Sequence, residues 1–401
     1  MENYSMNKYI CVLVAAALSA SAQAGSLLPA GANDQVPAAL TVPHAKALTA
    51  TLDRVPVRVS HALESKAALD TSPAPFTAQS REFWTDVSET ELRSGVRFNT
   101  TAPGAVVRLS PQGGANAALD PAGVLVRANG RTLSAGDASV AVADAKALRS
   151  AGMAVPEGTL AFRLAGATSG EVEIAAPHAQ GRYLVHVFEP ASTLVLSLTA
   201  DRDTVLAGKP VTFRTGVTGA NLKLASGIVN APDGFSANLT FARNADGTFS
   251  AMFTPDAAHR NGPQLWEAHV FTASSSGQSD VLRDATTAFA VSEATARFAG
   301  GANFEQRVDG LRVTLDVATT AASRYQVSAV LYGTGADGAL HAAALAQSAA
   351  WVSGNRSSIE LGFDAATLSG LHAPYELRDL RLLDQASMAL IERRERGLRI
   401  D

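Results

Sequence analysis

Short apolar runs of period two, broken by turn chemistry about every 8–12 residues, run through this chain from Ser80 to its end and leave little room for anything but sheets. Leu311, Val313, Leu315 and Val317 alternate with Arg312, Thr314 and Asp316, so one face of that strand is apolar and the other wet. Leu194/Leu196/Leu198, Val211/Phe213/Thr215/Val217, Trp266/Ala268/Val270 and Phe289/Val291 repeat the device. Only Asp144 to Ser150, with Asp144 at the N-cap and Gly152 beyond the end, predicts a helix. Aromatics are 6% of the 401 residues and no apolar run is long, which favours thin two-layer sandwiches over one large core. At about 100–150 residues per domain, the length predicts three.

The first 24 residues read as a leader. Lys8 precedes the apolar stretch Ile10 to Ala20, and Ala22-Gln23-Ala24 is an A-x-A cleavage signature before Gly25. The expectation is an exported protein, periplasmic or extracellular. The single cysteine, Cys11, falls inside that apolar stretch, so the mature chain is expected to carry no disulfides and no thiolate site. No segment reaches the roughly 20 apolar residues of a spanning helix, so the mature chain is not expected to be membrane-spanning. A net charge of −4 with 17% charged residues gives no basic footprint, and no nucleic acid partner is expected.

Residues 25–79 hold Pro29, Pro37, Pro43, Pro56, Pro73 and Pro75 and read as a Pro/Ala-rich extended arm, with Val55 to Val59 able to add one edge strand. Three β-rich domains in series follow, giving an all-β chain: an N-terminal β-rich domain over 80–190, an immunoglobulin-like antiparallel β-sandwich over 191–292, and a C-terminal β-sandwich over 293–401. In the second, Asn244-Ala245-Asp246-Gly247 joins Leu239/Phe241 to Phe249/Ala251/Phe253 as a hairpin. The mixed-sign tail, Arg393-Arg394-Glu395-Arg396 with Arg399, reads as a charged edge strand that discourages sheet addition.

Certain motifs carry a resemblance. Gly208-Lys209-Pro210-Val211 and Asp246-Gly247-Thr248-Phe249-Ser250-Ala251-Met252-Phe253 resemble immunoglobulin-like domains of bacterial secreted proteins. Tyr325-Gln326-Val327-Ser328-Ala329-Val330-Leu331 and Pro374-Tyr375-Glu376-Leu377 are similar to a sandwich that often follows such domains. Phe83-Trp84 and the stretch Thr100-Thr101-Ala102-Pro103-Gly104-Ala105-Val106-Val107-Arg108 resemble an uncharacterised family of exported Gram-negative bacterial proteins, a domain of unknown function of this architecture. The resemblance implies the fold and no activity.

Reactive chemistry is sparse. Gly333-Thr334-Gly335-Ala336-Asp337-Gly338 matches G-x-G-x-x-G, with Glu360 where a ribose-binding acid would stand, yet no alternation of strands and helices surrounds it, and it reads as a glycine-rich hairpin. No cofactor is expected. The eight histidines have no metal-ligand spacing. Asp201 and Asp203, flanking Arg202, could hold calcium at a domain junction but read first as a solvated bend. There is no G-x-S-x-G elbow, and no S-x-x-K pair follows the leader. No catalytic residue is assigned.

The candidates for binding are Trp84, set among charges, and Glu267 with His269, which share the outward face of a strand whose inward face is Trp266, Ala268 and Val270. Trp84 also reads as a lid on the first core. The sequence therefore points to a non-catalytic multi-domain protein holding a protein or glycan partner. One alternative is a secreted hydrolase assembling several of Glu82, Asp86, Glu89, His178 and His186 in the N-terminal domain. Another is an inhibitor or accessory subunit of a secreted protease, resting on fold analogy alone.

Overall fold

The structure, a computed structural model, describes residues 23–44, 52–64, 69, 74–113, 118–165, 169–276 and 279–401. The predicted leader lies almost wholly outside the described residues. Its last two residues, Gln23 and Ala24, open a strand that runs to Ser26 and pairs antiparallel with residues 301–304.

Strands dominate, arranged as three pairs of facing sheets. In the first unit the order Glu82–Val87, Arg182–Phe188, Val106–Gln112, Leu160–Leu164, Ser139–Asp144 makes one sheet. The opposing sheet is Val96–Thr100, Gly170–Ala175, Leu125–Ala128, Arg131–Ser134. Their inner rows, including Phe83, Phe98, Leu109, Phe162, Ile174 and Tyr183, form one apolar cluster. The predicted helix is present as Ala145–Ser150, with the Asp144 carboxylate accepting the Ala147 N–H at 2.8 Å. Two short helices accompany it, Glu89–Ser94 and Ala135–Ala138. The first begins in a capping box, Ser88 with Glu91, a signature the sequence displays but the strand pattern obscures.

The second unit packs two five-stranded sheets around Leu196, Phe213, Trp266, Val270 and Phe289. One pairing departs from antiparallel order: Thr204–Leu206 runs parallel to residues 290–292. The hairpin at Asn244–Gly247 forms, with Gly247 at φ 83°, but its first arm is only Ala242–Arg243. Leu239 belongs to Ser236–Thr240 in the opposite sheet, so the chain changes sheets at Phe241. The third unit faces a four-stranded sheet against a five-stranded one across Leu311, Val313, Leu315, Val317, Tyr325, Leu361 and Phe363. The G-x-G-x-x-G stretch closes the hairpin between Ser323–Thr334 and Leu340–Val352, Gly335 N–H bonding to the Ala339 carbonyl at 2.9 Å.

The arm contributes three edge strands rather than one, each in a different sheet. Gln23–Ser26 and Val57–Ala62 extend the two sheets of the third unit, and Thr77–Ser80 extends a sheet of the second. The segment between the first two also lies along the final strand, Ala389–Ile400. Gln35 and Arg393 exchange backbone hydrogen bonds of 3.0 and 2.9 Å, and Leu28 N–H reaches the Gly397 carbonyl at 2.9 Å. The tail is therefore an edge strand covered by the arm, not a bare charged one. Glu392 is fully buried there and accepts from Arg394 Nε at 2.7 Å and from the Phe298 N–H at 2.8 Å.

Candidate binding groove between the first two units

Alternation along Glu82–Val87 sends Phe83 into the core and leaves Glu82, Trp84 and Asp86 on the outer face. Register sets Trp84 opposite His186, and His186 opposite Arg108 on the next strand, so the three side chains form a row across the sheet. The Trp84 and His186 rings stack at 4.0 Å between centroids and 16° between planes, and the Arg108 guanidinium stands 5.2 Å from the Trp84 centroid. His186 Nε2 lies 2.9 Å from Glu82 Oε2, and this hydrogen bond is the main reason the Glu82 carboxyl titrates below its ordinary range.

The second unit supplies the opposite wall. In its strand 279–292, Arg283 and Ala285 point inward while Asp284 and Thr286 point out. The neighbouring strand adds outward His269 and Phe271, in register with Thr286 and Asp284. Trp84 N–H donates to Asp284 Oδ2 at 2.7 Å across the junction. Burial pushes the Asp284 carboxyl up to about 7, with the Glu82 charge adding in the same direction. His269 Nδ1 is 3.0 Å from Thr286 Oγ1, and its Nε2 is 3.4 Å from Glu267 Oε2. Glu82, Trp84 and Leu184 on one side and His269, Phe271, Asp284 and Thr286 on the other, with Gln79 and Ser80, enclose a groove of about 450 Å³.

Two of the three binding candidates, Trp84 and His269, thus line one groove, and Glu267 stands beside it through His269. Trp84 is not a lid on the first core, because its strand phase points it away from that core and towards the second unit. The hydrolase constellation is divided. Glu82 lines the groove and His186 pairs with it, but Asp86 is engaged by Arg182 at 2.5 Å, Glu89 by Arg93 at 2.9 Å and by the Gly181 N–H, and His178 is exposed on a turn. Asp201 accepts the Thr212 N–H at 3.0 Å, and among the described residues no group of three His, Cys, Asp or Glu is set to hold a metal ion.

A residue that alternation should have marked is Arg283. It occupies the inward phase of its strand, between Val281 and Ala285, and is fully buried. It meets the equally buried Glu189 of the first unit, Nη2 to Oε2 at 3.2 Å. Glu189 also accepts the Thr101 N–H and O–H at 2.9 and 2.6 Å, while Arg283 donates to Ser192 Oγ at 3.0 Å and to the Leu282 carbonyl at 2.8 Å. The junction holding the groove is thereby fixed in register. At the other junction, Glu293 accepts from Arg260 Nη1 at 2.7 Å and from the His44 N–H at 2.8 Å beside a cleft of about 630 Å³.

These features define a multi-domain all-β protein whose successive sandwiches are locked by buried ion pairs. The chain belongs to the DUF4785 family: the N-terminal domain of this domain of unknown function matches residues 48–189 and its C-terminal domain matches residues 295–401. The crystal structure of a DUF4785 family protein from Legionella pneumophila is similar over 93% of this chain and 99% of that one, with a TM-score of 0.71 at 17% identity, a likeness of fold. No curated protein matches the chain.

Proposed function

We propose that this is an exported binding protein whose groove between the first two units holds a glycan. The observation that carries the reading is the composition of that groove: an indole, stacked on one side by His186, shares the lining with Phe271 and Leu184 and with carboxyl, imidazole, amide and hydroxyl groups. Sugars offer an apolar ring face and a rim of hydroxyls, and such a mixture matches both. An extended peptide is disfavoured, because the outer edge of strand Glu82–Val87 is already occupied. Its Glu82 N–H bonds to Ser80 Oγ at 3.1 Å and its Trp84 N–H to Asp284, so an added strand finds those donors taken.

Titration of the full mature chain with a panel of oligosaccharides, followed by calorimetry, tests the reading. Trp84→Ala is expected to cost about tenfold or more in affinity. A panel without a binder, or a variant that binds as the parent does, overturns it. Export rests on the leader, and protein recovered from outside the cytoplasm is expected to begin at Gly25; an intact leader in that material would remove this part of the proposal.

A second reading, hydrolysis of the bound glycan, has one observation in its favour: Glu82, held below its ordinary range, and Asp284, pushed up to about 7, face the same groove, two carboxyls shifted in opposite directions as a general base and acid would be. New reducing ends released from the same oligosaccharides, and lost in Asp284→Asn, would support it. Unchanged oligosaccharides after long incubation would exclude it.

A further inference from the structure

We propose that the glycan is an acidic oligosaccharide, spanning the groove and a second depression beside it, with its anionic group seated on Arg108. The inference rests on the glycan reading and adds the charge and length of the ligand. Leu184 lines both depressions, the second of which holds about 270 Å³ between Arg108, Ser110 and Gln112 on one side and Val155 and Pro156 on the other. Across the row Trp84, His186, Arg108 the guanidinium stands 5.2 Å from the indole centroid, and the two depressions that share Leu184 offer room for more than one sugar unit.

Arg108 is the uncompensated member of that row. Its Nε is buried without a hydrogen-bond partner, and the guanidinium has no ion pair among the described residues. The Glu82 carboxylate, whose field reaches it, is committed to His186. Burial accordingly pushes the Arg108 guanidinium down from its ordinary value. A cation partly withdrawn from water, with a carboxylate nearby but none hydrogen-bonded to it, is costly in the free protein. A carboxylate or sulfate placed in the second depression supplies the missing partner, and the guanidinium fork suits either. The Trp84 ring holds one end of the ligand while Arg108 reads its charge.

Calorimetry on the full mature chain with galacturonate oligomers of one to five units, neutral galactose oligomers of the same lengths, and a sulfated galactose oligomer tests the assignment. Wild-type protein is expected to prefer an acidic over a neutral oligomer by about tenfold, to lose that preference in 0.5 M salt, and to gain affinity from one unit to three. Arg108→Gln should erase the preference for acidic oligomers, whereas Trp84→Ala should weaken acidic and neutral oligomers alike. The relative strength of galacturonate and sulfated oligomers separates carboxylate from sulfate. Equal binding of acidic and neutral oligomers by wild type overturns this inference and leaves the glycan reading standing; failure of every oligomer overturns both. The wild-type preference alone decides the matter if Arg108→Gln does not fold.

Discussion

Replacing Arg283 with Met should destabilise the junction between the first two units more than any single surface change. Both Arg283 and Glu189 are fully buried, and each is hydrogen-bonded on both sides of the junction. Arg283→Met keeps most of the volume and removes the cation, leaving the Glu189 carboxylate in the interior with only its Thr101 donors. Breaking one partner of such a pair costs about 3–5 kcal/mol, because the remaining charge has lost both water and counter-ion. Against a typical domain stability of about 5–15 kcal/mol, the change is large enough to unfold or uncouple the units. Urea denaturation followed by tryptophan emission measures the loss, and hydrogen exchange at the Thr101 amide locates it. The double variant Arg283→Met/Glu189→Leu, which removes both charges, should recover much of the stability. Because Asp284 follows Arg283 on the opposite strand face, the single variant should also weaken glycan binding without touching the groove. A cost below about 1 kcal/mol, or a double variant as unstable as the sum of its parts, would refute the claim that charge burial dominates here.

The raised Asp284 carboxyl makes stability depend on pH in a defined direction. Its folded value of about 7 exceeds the ordinary 3.8, so the native state holds a proton that the unfolded chain gives up first. The stabilising contribution is complete below about pH 4, declines as pH rises towards 7, and is gone above it; the swing is up to about 4 kcal/mol. Asp284→Asn stays neutral throughout, and denaturation at pH 4.5 and 8 should show a correspondingly smaller difference in the variant; an identical difference would remove Asp284 as the source. Gly227→Ala should cost about 1–3 kcal/mol by thermal unfolding, since a Cβ there would stand 2.4 Å from the His269 carbonyl oxygen of the neighbouring strand, and a neutral result would mean that the strands separate freely.

Period-two alternation made most inner rows legible: Trp266, Ala268 and Val270 lie inside, as do Leu311, Val313, Leu315 and Val317. The arm was harder to read. Its strands hold sheet edges through backbone hydrogen bonds and expose most side chains, so although the valines from Val55 to Val59 mark the strand Val57–Ala62, Thr77–Ser80 leaves almost no apolar period in the sequence. Arg283 and Glu189 illustrate a different loss. A charged residue in the inward phase of a strand signals a buried pair, but its partner lies on another domain, and no spacing connects the two.

Alternation assigns a side chain to one face of a sheet, and the common step from outward to solvated adds a premise about what stands opposite. For Glu267 and His269 the first part is right, since both leave the core of their own sandwich. The second part depends on the first unit, which leans the face bearing Trp84 against the second and turns an outward row into a wall of the groove. Asp284 shows the physical consequence most directly. Its carboxyl lies at the junction, and burial there pushes it up to about 7 even though the Trp84 N–H donated to it pulls the other way. The shift therefore reports the docking of one unit on the other, and a second sandwich expressed without the first should lose it.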